Sequence, residues 1–252
     1  EGPNAGIDGN SSERGAEATI TVGVFFDNQD DVTVDGFTIE RTVVSGEGVV
    51  QLGSGGPARI GENAVIKNNV INADPGGSQN MAGVLFEGDL EDELFVENNL
   101  ITQEDGTPVQ AVTNFESEIG TLEITDNTID TGSAVSLGGG SSNITATISG
   151  NEFTDSFEAR PAVAIANSDE IDVSIDDNTF DGAVAGVRTT SSDSPVSEPN
   201  VSVSITNNDF IGDNTAWYVE DNLDVLDIEA VLNDQGNTFN PAGEVDGNQI
   251  VV

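Results

Sequence analysis

The sequence of 252 residues contains no cysteine and no histidine. Without cysteine the chain can form no disulfide bond and offers no thiolate ligand to a metal. Without histidine it lacks the side chain most often used as a general base, and it lacks the imidazole ligand of zinc and copper sites. These two absences exclude Ser–His and Cys–His catalytic pairs, so any acid–base chemistry would have to rely on carboxylates.

Basic residues and long apolar runs are also scarce. Lysine and arginine together number 6, against 46 aspartates and glutamates, which gives a formal net charge of −40, and Lys67 is the only lysine. Such a surface repels a phosphate backbone, so the composition excludes nucleic acid as a partner. No apolar run approaches the roughly 18 residues that a membrane-spanning helix needs.

The excess of carboxylates predicts a protein adapted to high salt. At 1 M salt the Debye length falls to about 3 Å, and the mutual repulsion of surface charges is then largely screened. Intrinsic disorder is the other usual explanation of a high net charge. Here 36% of the residues are hydrophobic and they recur in a regular pattern, which favours a folded protein from a halophilic source.

A short phrase recurs through most of the chain. It consists of an apolar residue, two spacers, Asn, one spacer and a bulky apolar residue, and in one copy Phe37 takes the place of Asn. Counting Phe37 with the Asn positions, the markers are separated by 24 to 32 residues, which is the spacing of solenoid or propeller repeats. The eight copies are Val34–Ile39, Ile66–Ile71, Val96–Ile101, Ile124–Ile129, Ile148–Phe153, Ile175–Phe180, Ile205–Phe210 and a weaker Asp234–Phe239.

Each repeat contains three short apolar runs and no amphipathic helix. An alternating run precedes the Asn, as in Val201–Ile205, a second run follows it, and an alanine-rich run such as Ala162–Ile165 comes third. A leucine-rich repeat would show regular leucines, and a propeller blade would need about 40 residues. The pattern therefore predicts an all-β, right-handed parallel β-helix of about eight coils with three strands per coil, forming one domain over residues 1–252.

The repeated Asn is predicted to be structural. It follows a strand so closely that the chain must bend there, and asparagine tolerates the left-handed conformation that sharp bends use. Stacked coils place these side chains above one another, so their amides can bond in a ladder. The expected column is Asn69, Asn99, Asn127, Asn151, Asn178 and Asn208.

Two inserted loops and both chain ends are the irregular parts of the pattern. The longest insertions run from Asn72 to Met81 and from Arg188 to Asn200, and solenoid insertions often carry recognition. The segment Ala18–Phe26 resembles the second and third strands of a coil that lacks its first strand. No polar cap is evident at either end, so we expect a longer exported protein or an end-to-end neighbour, for instance a second subunit, to cover the ends.

Only carboxylates could support catalysis. Asp126, Asp176 and Asp177 occupy equivalent bend positions in two coils that are not adjacent, whereas glycoside hydrolysis needs two convergent carboxylates. Trp217 and Tyr218 are the single aromatic pair that could stack on a sugar. We assign no catalytic residue from the sequence.

A cation site and three glycosylation sites are further predictions. Acidic residues recur in the turn just before the first strand of several repeats, and oxygen-rich clusters suit Ca²⁺. Sequons of the Asn-x-Ser/Thr type predict N-glycosylation of an exported protein. The calcium candidates are Asp30, Asp31, Glu91, Asp92 and Glu93, and the sequon residues are Asn10, Asn143 and Asn200.

The repeated phrase resembles the right-handed parallel β-helix repeat of the pectate-lyase-like superfamily. The segments Gly2–Gly9, Arg14–Ile20 and Val32–Ile39 are similar to secreted haloarchaeal β-helix proteins described as NosD-like or carbohydrate-binding repeat domains. The resemblance implies a β-helix fold. The resemblance also implies what an active member would need. The lyases of the superfamily use an Asp-rich calcium site with a catalytic Arg or Lys, and its polygalacturonases use Asp pairs with His and an Arg-x-Lys motif. A NosD-type copper role needs Met or His ligands. This chain has no His, no Arg-x-Lys and a single methionine, Met81.

Two classes of function remain open from the sequence. The first is a non-catalytic structural or adhesive module of a cell envelope, an appendage or a viral spike, whose partners would be cell-surface or virion proteins or a surface polysaccharide. The second is a polysaccharide-active enzyme, a lyase or glycoside hydrolase, or a carbohydrate-binding module. Either class would place the protein outside the cell, on the cell surface or on a virion.

Overall fold

The fold was derived from a computed structural model of the chain. It describes residues 1–27, 29–42, 47–53, 59–60, 63–74, 82–87, 89–103, 109–115, 119–138, 143–154, 162–166, 170–181, 187–190, 200–211, 219–221, 236–240, 244–246 and 249–251. All of the regular structure in these residues is β-strand, and it forms three long parallel sheets and one short hairpin.

The first sheet, sheet A, contains the strands that follow the repeated Asn. Its strands pair in parallel, each with the equivalent strand of the next coil. In order they are β1 (Thr19–Ile20), β4 (Thr38–Thr42), β8 (Val70–Asp74), β11 (Leu100–Gln103), β14 (Thr128–Asp130), β17 (Glu152–Thr154), β20 (Thr179–Asp181), β23 (Asp209–Ile211) and β25 (Thr238–Asn240).

The second sheet, sheet B, contains the alanine-rich strands. Its order is β2 (Val24–Phe26), β5 (Gly48–Leu52), β9 (Ala82–Glu87), β12 (Gln110–Phe115), β15 (Ser133–Gly138), β18 (Val163–Ala166), β21 (Val187–Thr190) and β24 (Val219–Asp221).

The third sheet, sheet C, contains the alternating strands that precede the Asn. Its main path is β3 (Thr33–Asp35), β7 (Ala64–Lys67), β10 (Asp89–Glu97), β13 (Ile119–Thr125), β16 (Asn143–Ser149), β19 (Glu170–Asp176) and β22 (Asn200–Thr206), and β6 (Arg59–Ile60) also pairs with β10. The prediction of an all-β right-handed parallel β-helix with three strands per coil is confirmed.

Register between coils places equivalent side chains in straight columns inside the solenoid. In sheet A the inward column changes from isoleucine at Ile101 and Ile129 to phenylalanine at Phe153, Phe180 and Phe210. The phenylalanine rings stack with centroids 4.8 Å apart and interplanar angles of 8° and 9°. Each buried ring contributes about 1.5–3 kcal/mol from removal of apolar surface, so this column stabilises the later coils.

The first coil is incomplete, as predicted. The segment Ala18–Phe26 supplies β1 to sheet A and β2 to sheet B, and the first strand of sheet C is β3, which belongs to the next turn of the chain. In this chain β1 and β2 are therefore the first strands of sheets A and B.

The prediction about backbone conformation at the bend was wrong by one residue. The left-handed residue is the one before the ladder Asn, as at Asp126 and Asp177, both with φ of 56°. The ladder Asn is not among the residues with positive φ. The full set of left-handed residues at this bend is Gly36, Asn68, Asn98, Asp126, Gly150, Asp177, Asn207 and Gly236. Glycine, asparagine and aspartate are the residues that adopt this conformation most easily, so the bend chemistry lies at that position.

The two ends of the solenoid differ from each other in how they are covered, and only the C-terminal end departs from the expectation of uncapped edges. Residues 2–17, here called the N-terminal strap, fold back along the outside of the Asn bends rather than forming a free polar loop. At the other end β26 (Glu244–Asp246) and β27 (Gln249–Val251) form an antiparallel hairpin, and β27 lies beside β24, the last strand of sheet B. The chain thus turns back on itself at this end.

Candidate functional site

The Asn bends form one continuous hydrogen-bonded column along the solenoid. In each step the backbone N–H and the side-chain Nδ2 of one Asn both donate to Oδ1 of the Asn in the next coil, over 2.9–3.1 Å. The column begins where Phe37 N–H donates to Asn69 Oδ1 over 3.0 Å. Its amides belong to Asn69, Asn99, Asn127, Asn151, Asn178, Asn208 and Asn237.

This column confirms the predicted ladder and fixes the geometry of everything outside it. The six amides from Asn69 to Asn208 are each at most 1% exposed, so their donors and acceptors must be satisfied within the protein. Because each Nδ2 also donates to a strand carbonyl, as Asn127 does to Val96 over 2.8 Å, the bends cannot move independently. The outer surface of the column is therefore a rigid edge.

The N-terminal strap covers the first part of that edge. Gly2 N–H donates to the carbonyl of Asp35 over 2.6 Å, and Gly9 N–H donates to the carbonyl of Asn98 over 2.8 Å. A Cβ at Gly9 would collide with the backbone of Asn69 and Leu100. The strap therefore lies flat on the bends, and the absence of a side chain at Gly9 is what permits this approach.

Arg14 fastens the strap. Its guanidinium donates Nε and Nη2 to the two carboxylate oxygens of Glu17, and Nη1 to the carbonyls of Ile7 and Asn68 over 3.1 and 2.7 Å. A longer bond of 3.5 Å joins Nη2 to the carbonyl of Phe37. The Arg14 side chain is only 7% exposed, and the Arg14 guanidinium lowers the pKa of Glu17, chiefly by its hydrogen bonds. The sequence analysis assigned no role to either residue.

We expect Arg14→Met to release the strap. The variant loses the two hydrogen bonds to the Glu17 carboxylate and the bonds to the backbone carbonyls. We expect the free energy that holds the strap in place to fall by about 2–4 kcal/mol. The loss is intermediate because the Arg14 side chain is nearly buried while the Glu17 side chain stays 31% exposed. Hydrogen exchange at the Gly9 amide should then accelerate by roughly one and a half to three orders of magnitude. Glu13→Gln, which removes an exposed charge from the same strap, is the control.

The pH dependence of the strap follows from Glu17. A carboxyl whose pKa is lowered in the folded state stabilises that state above its ordinary pKa and loses this contribution as pH falls through the folded pKa. Acid should therefore loosen the wild-type strap, whereas Arg14→Met should show little further loss on acidification. Equal acid sensitivity of the two proteins would contradict the assigned role of the pair.

The outward face of sheet C carries regular rows of small polar side chains. In β13, β16, β19 and β22 the described inward side chains are buried, except for the half-buried Val203, and the alternate residues point outward. Neighbouring coils are about 4.8 Å apart, and residues two positions apart along a strand are about 6.6 Å apart. The outward residues are Thr121, Glu123, Thr125, Thr145, Thr147, Ser149, Asp172, Ser174, Asp176, Ser202, Ser204 and Thr206.

The three carboxylates considered for catalysis lie at the bend, but they do not converge. Asp126 and Asp177 are exposed in the same left-handed column, with Gly150 in the coil between them. Asp176 points outward from β19, where its Oδ1 accepts hydrogen bonds from the Thr206 hydroxyl and from Asn207 Nδ2. The two bend carboxylates are thus two coils, or about 9.6 Å of solenoid rise, apart.

The calcium candidates are brought to one edge only in part. Asp31 Oδ1 accepts a hydrogen bond from Asn63 Nδ2 over 3.2 Å, and register places Asn63 between Asp31 and the exposed Glu93. Asp30 has an interaction of its own, and the side chains of Glu91 and Asp92 lie outside the described ones. Among the described residues no group of three acidic side chains could hold a metal ion. The calcium site stays a prediction.

The sequons occupy two distinct places. Asn143 and Thr145 are exposed at the start of β16, and register aligns Asn143 with Glu170 and then with Asn200, at the start of β22. The last two sequons therefore share one edge of sheet C, two coils apart. Asn10 is exposed in the strap, and its Nδ2 donates to the Thr128 hydroxyl over 2.6 Å.

The outer face of sheet B is different from that of sheet C because it is buried over three successive coils. Gln51, Leu85 and Thr113 occupy equivalent outward positions in three successive coils and are at most 8% exposed. Gln51 donates to Glu87, and burial raises the pKa of the Glu87 carboxyl. Trp217, Tyr218 and most of both long inserted loops lie outside the described residues; the ends of those loops, at Asn72–Asp74, Arg188–Thr190 and Asn200, belong to strands.

Comparison with known proteins agrees with this architecture. Residues 22–210, or 189 of the 252, match the family model described as a right handed beta helix region. No curated protein matches the chain significantly, and neither does any solved structure. In the part of the chain that the structure describes, no helix is long and apolar enough to cross a membrane.

Proposed function

Because the chain belongs to the right-handed β-helix family, we propose that it is a non-catalytic structural or adhesive module of an exported surface assembly, adapted to high salt. The fold itself supports a structural or carbohydrate-related role in general terms. The finer proposal rests on how the outer surface of the solenoid is built.

The observation that carries the proposal is the outward face of sheet C above an unbroken Asn ladder. Over four successive coils this face presents hydroxyls and carboxylates in rows, on strands whose described inward side chains belong to the core or pack against it. A rigid, flat, polar surface of this kind suits binding to an extended polymer or a neighbouring subunit through many equivalent contacts. Each contact is weak, but the binding free energies of successive contacts along the solenoid add up.

The environment of the charged groups fits the same proposal. The Glu17 carboxylate, whose pKa is lowered, is held by Arg14, and the Glu87 carboxyl, whose pKa is raised by burial, accepts a hydrogen bond from Gln51. Each has a structural partner that accounts for it.

A second candidate, glycoside hydrolysis, is favoured by one geometric feature. Asp126 and Asp177 place two exposed carboxylates in one column of bends, two coils apart, and glycoside hydrolysis uses a pair of carboxylates. The position between them is not open, because the Asp126 carboxylate lies over Gly150, where it would collide with a Cβ. Both carboxylates are exposed on an outer edge. A catalytic acid normally sits where burial raises its pKa, so this edge is a poor setting for hydrolysis.

Incubation with acidic and neutral polysaccharides in molar salt, with and without Ca²⁺, tests the proposal. We expect no reducing-end or unsaturated product, together with retention of the protein on a surface polysaccharide or an envelope fraction. Asp126→Asn, Asp176→Asn and Asp177→Asn remove the candidate carboxylates, and Asp172→Asn is the matched control on the same face. Product release that these three variants abolish and Asp172→Asn preserves would establish the enzyme instead.

A further inference from the structure

The hydrophobic core is open at the N-terminal end of the solenoid. Ile20 and Val24 point into the core but are only half-buried, whereas their partners one coil later, Ile39 and Val50, are fully buried. Phe26, Val32 and Phe37 are half-buried in the same way. This end of the core therefore lacks a covering layer, and covering it would remove apolar surface from water.

Two exposed apolar side chains stand at the same end. Val22 is 73% exposed and Phe25 is 52% exposed, and Ile211, at 39%, is the third large exposed hydrophobic residue among those described. The guanidinium of Arg41 lies 4.5 Å from the centre of the Phe25 ring and is itself paired with Glu47. The charge next to Phe25 is thus neutralised, and the patch is apolar.

Strand edges at this end are available for pairing. Gly53 N–H donates to the carbonyl of Phe26 over 2.7 Å, so Phe26 bonds towards β5. Since alternate residues of a strand point to opposite sides, the backbone groups of Phe25 face away from β5. The edge of sheet C is not free in this way, because the Gly2 N–H of the strap donates to the carbonyl of Asp35 in β3. The strap therefore leaves β1 and β2 as the open edges.

Charge indicates what kind of partner could approach. Residues 1–67 contain four of the six basic residues and eleven acidic ones, a net charge of −7, which leaves −33 for the other 185 residues. A basic partner would be attracted to the strongly acidic remainder. The N-terminal end instead suits an apolar partner of low charge, and a second copy of this end offers that surface.

The other end of the rod makes head-to-tail stacking less favourable. There β27 lies beside β24, so the hairpin occupies the place that the next copy's β2 would need against sheet B. A two-fold arrangement uses the same surface on both copies and closes after two subunits. We propose that two copies of the chain join through their N-terminal ends, with the β1–β2 edges and the patch of Val22 and Phe25 in the contact.

Light scattering in molar salt gives the first test. We expect about twice the chain mass of 26.1 kDa for the wild type and the monomer mass for the double variant Val22→Glu with Phe25→Glu. Ile211→Glu introduces the same type of change at an exposed apolar residue far from this end and should leave the dimer intact. A monomeric wild type, or a series of higher oligomers growing with concentration, would overturn the proposal.

The absence of cysteine from the chain allows a second test that disturbs folding less. Val22→Cys treated with a flexible bis-maleimide should give a covalent dimer in high yield, whereas Ile211→Cys under the same conditions should stay monomeric. Equal yields of covalent dimer from the two variants would show that cross-linking reflects random collision, and would refute contact through the N-terminal end. This test decides the proposal even if the double glutamate variant fails to fold.

Discussion

Replacing Asn127 by alanine is expected to lower the free energy of unfolding by about 3–5 kcal/mol. Asn127 lies in the middle of the ladder, and its Oδ1 accepts hydrogen bonds from the backbone N–H and the Nδ2 of Asn99, over 2.9 and 3.0 Å. Its Nδ2 donates to the carbonyls of Val96 and Thr125 and to Asn151 Oδ1. Alanine would remove all five bonds at a site that is 1% exposed.

The expected cost follows from what the substitution leaves behind. The Asn99 N–H would remain buried without its acceptor, and a buried group without a partner costs about 1–3 kcal/mol. The lost side chain adds a cavity between coils that are held in register, which the stacked neighbours cannot easily fill. Because a solenoid is stabilised by contacts between adjacent coils, a defect at its centre weakens the coupling of the two halves.

Denaturant unfolding of Asn127→Ala beside Asn143→Ala measures this effect. Asn143 is exposed at the start of β16, so the same chemical change there should alter stability by less than about 0.5 kcal/mol. Asn127→Asp should also be destabilised, since a carboxylate can accept but cannot donate to Val96. A difference below about 1 kcal/mol between the two alanine variants would show that the ladder contributes little beyond packing.

The ladder could be predicted from the sequence because it is periodic. An Asn at a constant distance from flanking apolar residues, repeated every 24 to 30 residues, leaves few arrangements other than stacking. The left-handed residue was assigned one position too late. Three coils carry asparagine both at the ladder position and at the position before it, so they do not show which of the two is left-handed; they are Asn68–Asn69, Asn98–Asn99 and Asn207–Asn208. The available signal was Gly150, because glycine adopts the left-handed conformation easily and stands directly before the ladder residue Asn151.

The strap could not be predicted from the repeat because it is not periodic. Asn10 bonds to Thr128, which is 118 residues away, and Gly9 contacts the bend at Asn98. Such contacts depend on the finished solenoid and leave no local signature. The closely spaced glycines of residues 2–9 were the available signal, since glycine allows backbone to approach backbone closely. For the candidate site, periodicity placed Asp126 and Asp177 at equivalent bends, but only the structure shows that the Asp126 carboxylate lies over Gly150 in the coil between them.

Transfer from molar to about 10 mM salt is expected to lower the melting temperature by roughly 10 °C or more. The Debye length grows from about 3 Å to about 30 Å over that range, so charges several coils apart begin to repel one another. The net charge is −40 on 252 residues, and neighbouring coils are only about 4.8 Å apart. A fall of 10 °C corresponds to about 3 kcal/mol in a domain of this size.

Two variants test whether the loss of melting temperature in dilute buffer comes from charge density rather than from water activity. Asp126→Asn and Asp177→Asn replace exposed carboxylates by the residue that the same left-handed column already uses at Asn68, Asn98 and Asn207. The backbone is therefore undisturbed. Each variant should gain a few tenths of a kcal/mol in dilute buffer and nothing measurable in molar salt, where the charges are screened.

The identity of the salt separates screening from a specific site. If screening is the cause, sodium and potassium chloride at equal ionic strength restore the melting temperature equally, and the effect rises smoothly with ionic strength. If millimolar Ca²⁺ alone restores it, and Asp31→Asn or Glu93→Gln removes that response, the acidic edge binds calcium as the sequence predicts, because a specific site saturates at low concentration whereas screening does not. A melting temperature that stays constant from molar to millimolar salt would remove the argument for adaptation to high salt, and the 46 carboxylates would then need another explanation.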